Sequence, residues 1–335
     1  DRSPSRGLGD VYKRQVYKDV NENGTYEADV DTFVNNLVDN NGIYTLEELE
    51  YGKYLVKETA TPEGYLVDEK YYPVFIDKAG ANVVVSTDNS DYYYEVPIIG
   101  NVEITKVDEE YPDNKLKGAE FTVYAKDKKT VIGKLSEVEA GVYRLEGLRY
   151  GEYYVKETKA PDYFVQDVNY YYFQIVNDGE TVIVTNDKIG EGTFINSPEK
   201  GEIKIVKTSY NNKVEGFKFE VSGTTYTGQT FKKTYTTDKD GIIRITDLRA
   251  GEYTIHEVKD SASAGYLLPE DKQLTIDRDG AMLVANMHNS KLPDNPPTGA
   301  SEDSFTQTAV IIISMVMMSA AVVLVFPLSK RKRKR

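Results

Sequence analysis

Apolar residues along most of this chain alternate with polar ones instead of recurring every three or four positions. The run Asn101-Val-Glu-Ile-Thr-Lys-Val-Asp108 puts Val102, Ile104 and Lys106 on one face, and Gly201-Glu-Ile-Lys-Ile-Val-Lys-Thr-Ser209 puts Ile203, Ile205 and Lys207 on one face. Such runs are short and are broken by Gly, Pro, Asn and Asp at intervals of roughly ten residues, which predicts strands and turns. No sustained helical period competes with them, so an all-β chain of sandwiches is expected. One stretch departs from the pattern. From Ser304 to Ser329 there is no charged residue, and 309–328 reads AVIIISMVMMSAAVVLVFPL. A bilayer core needs roughly 20 apolar residues, so 304–329 is expected to be a transmembrane helix. The basic tail 330–335, KRKRKR, then stays cytoplasmic by the positive-inside rule and places the rest outside.

The part ahead of the span repeats. Leu49-Glu-Tyr-Gly-Lys-Tyr54 returns as Leu148-Arg-Tyr-Gly-Glu-Tyr153 and as Leu248-Arg-Ala-Gly-Glu-Tyr253. A period of roughly a hundred residues is too long for a solenoid unit and describes whole domains in tandem. The expected division is a truncated first domain over 16–100, complete ones over 101–200 and 201–290, and a linker over 291–303. Residues 1–15, DRSPSRGLGDVYKRQ, fit no part of the repeat and are expected to be a non-native leader. The strand that should precede Val16 in the first domain is expected to be missing.

Composition narrows the chemistry. No Cys among 335 residues excludes disulfides and thiolate sites, and two His leave little for metal sites or triads. No metal and no cofactor are expected. Net charge is −13 overall, but ahead of Ala300 there are 35 basic against 52 acidic residues, a net of −17. So acidic a body is not expected to bind nucleic acid.

The polar residues on inward faces carry the candidate chemistry. Besides Lys106 and Lys207, Glu157 shares a face with Tyr153 and Val155, and Glu257 with Tyr253 and Ile255. Near the domain ends, Asn196 shares a face with Phe194, and Asn289 with Met287. Asn286 is a second candidate in the third domain. Buried lone charges are costly, so a Lys there tends to lose its proton and a Glu to keep one. A neutral amine is a nucleophile, and a neutral carboxyl can pass protons to an amide. Held together in a core, the groups gain an effective molarity that can reach ~10⁵ M. The expected product is a Lys–Asn isopeptide bond with loss of ammonia. In the first domain Glu58 remains, but the position matching Asn196 is Glu95, and no such bond is expected there.

These motifs, together with Leu116-Lys-Gly-Ala-Glu-Phe121 and the E-T-x-A-P run Glu157–Pro161, resemble the collagen-adhesin B-type, prealbumin-like domains of Gram-positive adhesins and pilins. The resemblance implies bonds Lys106–Asn196 and Lys207–Asn289, with Glu157 and Glu257 as proton shuttles. Between the third domain and the span, Asn295-Pro296-Pro297-Thr298-Gly299 with the span and tail resembles a cell-wall sorting signal. That implies a sortase cutting between Thr298 and Gly299, joining Thr298 to an amine of peptidoglycan or of a pilin. Asn295 stands where Leu is usual, which leaves the sortase class open.

The chain is thus expected to be a non-enzymatic stalk at a Gram-positive cell surface, held in the membrane until sorted. Host or matrix ligands would meet other parts of the protein. A minor or basal pilin is the alternative; Tyr111-Pro112-Asp113 lacks the Lys of the shaft-pilin motif. The stalk of a wall enzyme is a third reading with no residue in its favour. Asp19-Val-Asn-Glu-Asn-Gly24 begins like a calcium loop, but Val30 holds the place of the last ligand, and an Asn-Gly turn is favoured. The Tyr runs at 92–94 and 170–172, and His256 and His288, are expected to be ordinary strand residues.

Overall fold

The computed structural model describes residues 13–40, 42–86, 93–186 and 192–293. The expected span, the basic tail and Asn295–Gly299 lie outside the described residues, among which no helix is long and apolar enough to cross a membrane. All regular structure described is strand.

The second and third domains are each two facing sheets. In the second, one sheet runs Ser136–Glu139, Val142–Arg149, Ile99–Asp108, Thr181–Ile183. Thr193–Asn196 also pairs with Ile99–Asp108. The other sheet runs Val131–Lys134, Glu120–Ala125, Gly151–Lys159, Tyr170–Ile175. Val102, Ile104 and Phe194 from the first sheet meet Phe121, Val123, Val155 and Phe173 from the second in one core. The third domain repeats this, with Ile203, Ile205 and Met287 against Phe219, Val221 and Ile255. Burial along Lys200–Ser209 alternates strictly, the signature of a strand with one face on a core.

In both domains the last strand lies parallel to the first. Ala281–Lys291 pairs with the first strand from Gly201↔Ala281 to Ser209↔Asn289 without a break. In the second domain the ladder is split: Thr181–Ile183 pairs at Asn101–Glu103, and Thr193–Asn196 resumes at Thr105–Asp108.

The repeated Leu-x-x-Gly-x-Tyr motif is a turn closed by its own Tyr. Tyr54, Tyr153 and Tyr253 each donate their hydroxyl to the carbonyl four residues earlier, at 2.8, 2.7 and 2.7 Å. The Gly is needed for two different reasons. Gly151 has φ +150°, and at Gly251 a Cβ would stand 2.6 Å from the Thr224 carbonyl oxygen.

The first domain has a four-stranded sheet, Thr32–Asn36, Lys13–Lys18, Gly52–Ala60, Tyr71–Ile76, and two short antiparallel pairs, Val38–Asn40 with Ile43–Thr45 and Tyr65–Leu66 with Val96–Pro97. Its buried core is small, centred on Val16, Tyr54 and Val56. The position where a strand equivalent to Ile99–Asp108 would precede Lys13 lies outside the described residues. The described strand begins inside the residues expected to be a leader. Lys13, Arg14 and Gln15 belong to the first strand, which pairs Gln15 with both Asn36 and Lys57. Extending the alternation back from Val16 explains this, because Arg14 then falls on the same inward face.

Candidate functional site: buried Lys, Glu and Asn

The first strand brings Lys106 into the core after Val102 and Ile104, and the side chain is 0 % exposed. Asn196 lies on the adjacent parallel strand. Phe194 pairs with Lys106 and Asn196 with Asp108, so Lys106 and Asn196 are diagonal neighbours on one face. Glu157 comes from the opposite sheet, where it pairs with Phe121. Its Oε1 is 3.7 Å from Lys106 Nζ, and Asn196 Nδ2 donates to its Oε2 at 2.9 Å. Glu157 is therefore the bridge between the two side chains.

The third domain builds the same arrangement from different neighbours. Lys207 Nζ is 3.3 Å from Glu257 Oε2, and Asn289 Nδ2 donates to Glu257 Oε1 at 2.6 Å. All three residues are buried. Asn286 is exposed on the other face of the strand, and Asn289 is the residue that reaches Glu257. Aromatic rings close both sites: Lys106 Nζ lies 4.8 Å from the Phe194 ring centre and Lys207 Nζ 4.6 Å from that of Phe217.

Burial sets the protonation. It pushes the Lys106 ammonium down to about 7, against the opposing pull of Glu157 and Asp167. It also raises Glu157, more than the nearby Lys106 and the Asn196 hydrogen bond lower it. Lys207 is likewise lowered by burial, opposed by Glu257. Each shift favours the neutral form. In both sites one carboxylate oxygen of the Glu and Oδ1 of the Asn accept no hydrogen bond. Buried polar atoms without partners are rare. Here the same two atoms lack a hydrogen bond twice: the Glu oxygen that faces the Lys, and the Asn Oδ1.

Glu58 occupies the equivalent place in the first domain and is 1 % exposed. It faces Arg14 Nη2 at 3.2 Å, and Arg14 also reaches Glu95 at 2.8 Å. The other carboxylate oxygen of Glu58 accepts from the Asp68 N–H at 3.0 Å, and a guanidinium is not a nucleophile in proteins. The loop after Asp19 is a turn held by its own amides. Asp19 accepts from Asn23 and Gly24 N–H, and Asp31 from Val20 and Glu27 N–H. No group of three or more His, Asp or Glu side chains suited to a metal occurs among the described residues. His256 is an exposed strand residue bonded to Asp271, and His288 bonds Thr208.

One polar residue beside the second site gave no sequence signal. Asp167 donates its backbone N–H to Glu157 Oε2 at 2.7 Å, and its carboxylate accepts from Tyr171 at 2.6 Å and Asn186 at 2.9 Å. It lies outside any strand, so alternation could not assign it a face.

The second and third domains are thus tandem two-sheet β-domains that each bury one Lys–Glu–Asn cluster in the core. Residues 13–91, 100–189 and 201–291 each match the SpaA family, described as a prealbumin-like fold domain, and the chain belongs to that family. Among solved structures, the Bacillus anthracis TIE protein is similar at 24% identity and TM-score 0.64, over 85% of this chain and 48% of that one. The chain thus spans about half the length of that relative. A streptococcal ancillary pilin matches at 19% identity over 87% of this chain and 95% of its own, with TM-score 0.29. BcpA, the major pilin subunit of Bacillus cereus, matches at 14% identity over 84% and 95%, with TM-score 0.36. No curated protein matches the chain.

Proposed function

We propose that this chain is a covalently self-locked stalk segment of a Gram-positive surface protein, with Lys106 joined to Asn196 and Lys207 to Asn289. The observation that carries the reading is the recurrence of a buried, contacting Lys–Glu–Asn cluster at matching positions of two domains.

The chemistry balances within each cluster. The Lys ammonium passes a proton to the Glu carboxylate, leaving a neutral amine and a neutral acid. The amine nitrogen attacks Asn Cγ and a C–N bond forms. The Glu proton moves to the departing Nδ2 as the Cγ–Nδ2 bond breaks, and the carboxylate takes a proton from the attacking nitrogen. The products are a secondary amide and ammonia, and the Glu returns to its acid form. Nothing is turned over after the single event, so the protein is a product of its own reaction and not an enzyme.

Anchoring rests on sequence. Asn295–Gly299, the uncharged stretch 304–329 and the tail 330–335 form a substrate for a sortase, with Thr298 passed to peptidoglycan or to a pilin amine. Expressing the whole chain with and without Thr298→Ala in a sortase-bearing Gram-positive host tests this. The unsubstituted chain is expected in the wall fraction and the variant in the membrane fraction; equal distribution would sink the anchoring step. The same extracts address the pilin alternative, which requires high-molecular-weight ladders.

A further inference from the structure

The two crosslinking domains hold their reactive Asn in different ways. In the third, Asn289 sits in one continuous strand of 11 residues. In the second, nine residues separate Ile183 from Thr193, where the first strand advances past only Ile104. A continuous ladder would need one residue there. The short strand Thr193–Asn196 is therefore cut off from the strand that should lead into it, and only four residues carry the register of Asn196.

Asn186 repairs this cut. Its Nδ2 donates to the Ile195 carbonyl at 2.9 Å, and its Oδ1 accepts the Ile195 N–H at 2.6 Å. One side-chain amide thus bonds Ile195 at both backbone groups, as a neighbouring strand would, on the residue just before Asn196. The same Nδ2 donates to Asp167 Oδ2 at 2.9 Å, and the Asp167 N–H holds Glu157 Oε2 at 2.7 Å. Thr185 adds a bond from its hydroxyl to the Thr193 carbonyl. The amide so links the strand of the electrophile to the loop that fixes the proton shuttle. No residue of the third domain makes an equivalent pair of bonds to Met287, His288 or Asn289 among the described hydrogen bonds, and its unbroken strand has no cut to bridge.

We infer that Asn186 is a positioning residue for the Lys106–Asn196 crosslink, setting the reach between Asn196 and Glu157 that an uninterrupted strand sets for Asn289 in the third domain. This rests on the crosslinking reading above and deepens it. Misplacement of a reacting group by about an ångström can cost as much as a hundredfold in rate, so removing the clasp is expected to slow the second domain roughly ten- to a hundredfold.

The test uses the whole soluble region, produced denatured and uncrosslinked and then refolded by dilution. Ammonia loss is followed by intact mass, and peptide mapping assigns each loss to its domain. The third domain is an internal clock in the same molecule. Asn186→Ala should slow the second domain and leave the third unchanged. Asn186→Asp keeps the acceptor for Ile195 N–H, loses both donated bonds and sets a carboxylate against Asp167, so it should also be slow. Adding Asp167→Asn to it restores one donor–acceptor pair, and part of the rate should return, which general loss of structure would not allow. Unchanged domain-two rates in both single variants, beside an unsubstituted chain that crosslinks normally, overturn the role of Asn186 alone. An unsubstituted chain that loses no ammonia overturns the crosslinking reading itself, and this inference with it.

Discussion

A buried Lys beside a buried Glu is stable as a pair only while each satisfies the other. Burial disfavours the charges of both, and a proton moved from Lys106 to Glu157 removes both at once. That neutral state is also the one the proposed crosslinking requires. Removing the shuttle has two consequences. Glu157→Ala is expected to abolish one ammonia loss and Glu257→Ala the other. Each is expected to lower its domain's stability by at least about 4 kcal/mol in denaturant unfolding, the loop-closure estimate for a crosslink closing roughly 90 residues. The pH dependence follows from the direction of the Lys106 shift. With its ammonium lowered to about 7, the amine is neutral above that value and protonated below it. Crosslinking of the refolding second domain should therefore slow steadily as pH falls below about 7, and a rate flat down to the carboxylate range would contradict this assignment. At this scale much was legible in advance. Alternation alone put Lys106, Glu157 and Asn196 on inward faces. Asn186 was not legible, because it lies outside any strand and its partner is a backbone.

Among the elements, the turn before the Glu-bearing strand repeats most faithfully, and the structure gives its cause. The Tyr hydroxyl fixes the turn from which Glu58, Glu157 and Glu257 are presented, each four residues further on. Tyr253→Phe keeps the ring, which is 2 % exposed, and removes only the bond to the Arg249 carbonyl. A cost of roughly 1–2 kcal/mol in thermal or denaturant unfolding is expected for leaving that carbonyl unpaired. Gly251→Ala should cost more, since the Thr224 carbonyl and Thr225 backbone both stand 2.6 Å from the new Cβ and neither is a flexible side-chain end. The sequence displayed this motif three times without its reason, since a hydroxyl reaching back four residues leaves no periodic trace. Register was hidden in a similar way. Parallel pairing of first and last strands, and the split ladder of the second domain, depend on contacts far apart in sequence. Lys13–Gln15 fit no repeat motif, yet they belong to the strand Lys13–Lys18, whose inward face Arg14 shares with Val16.

Across the whole molecule, the second and third domains meet through a buried ion pair. Arg249 of the third domain bonds Asp108 at 2.5 Å and Glu110 at 2.7 Å, and Lys200 bonds Glu110 at 2.5 Å. Tyr163 and Tyr226 stack across the same junction with ring centres 4.4 Å apart. Asp108 is two positions beyond Lys106 and fully buried, so the joint is built on the strand that carries the nucleophile. Burial works against the charge of Glu110, but hydrogen bonds from Lys200 and Arg249 outweigh it and hold its carboxyl below the usual range. Its contribution to docking is thus present above the ordinary carboxylate range and lost as pH falls through the lowered value. Arg249→Ala leaves buried Asp108 without an opposite charge and is expected to undock the domains, seen as a larger radius of gyration in solution scattering at neutral pH. If the proposed crosslinks form, a bridged domain cannot be drawn out past its crosslink, and this ion-paired joint would connect two such domains. Under the proposed reading the absence of Cys gains a meaning, because exported β-proteins commonly rely on staples and Lys–Asn bonds would need no oxidant. The central claim is that the staples exist. Intact mass of the soluble region, 13–293, tests it most directly. Two ammonia molecules fewer than the sequence mass, with peptides joined at Lys106–Asn196 and Lys207–Asn289, is the predicted result; a mass equal to that of the sequence would contradict the account.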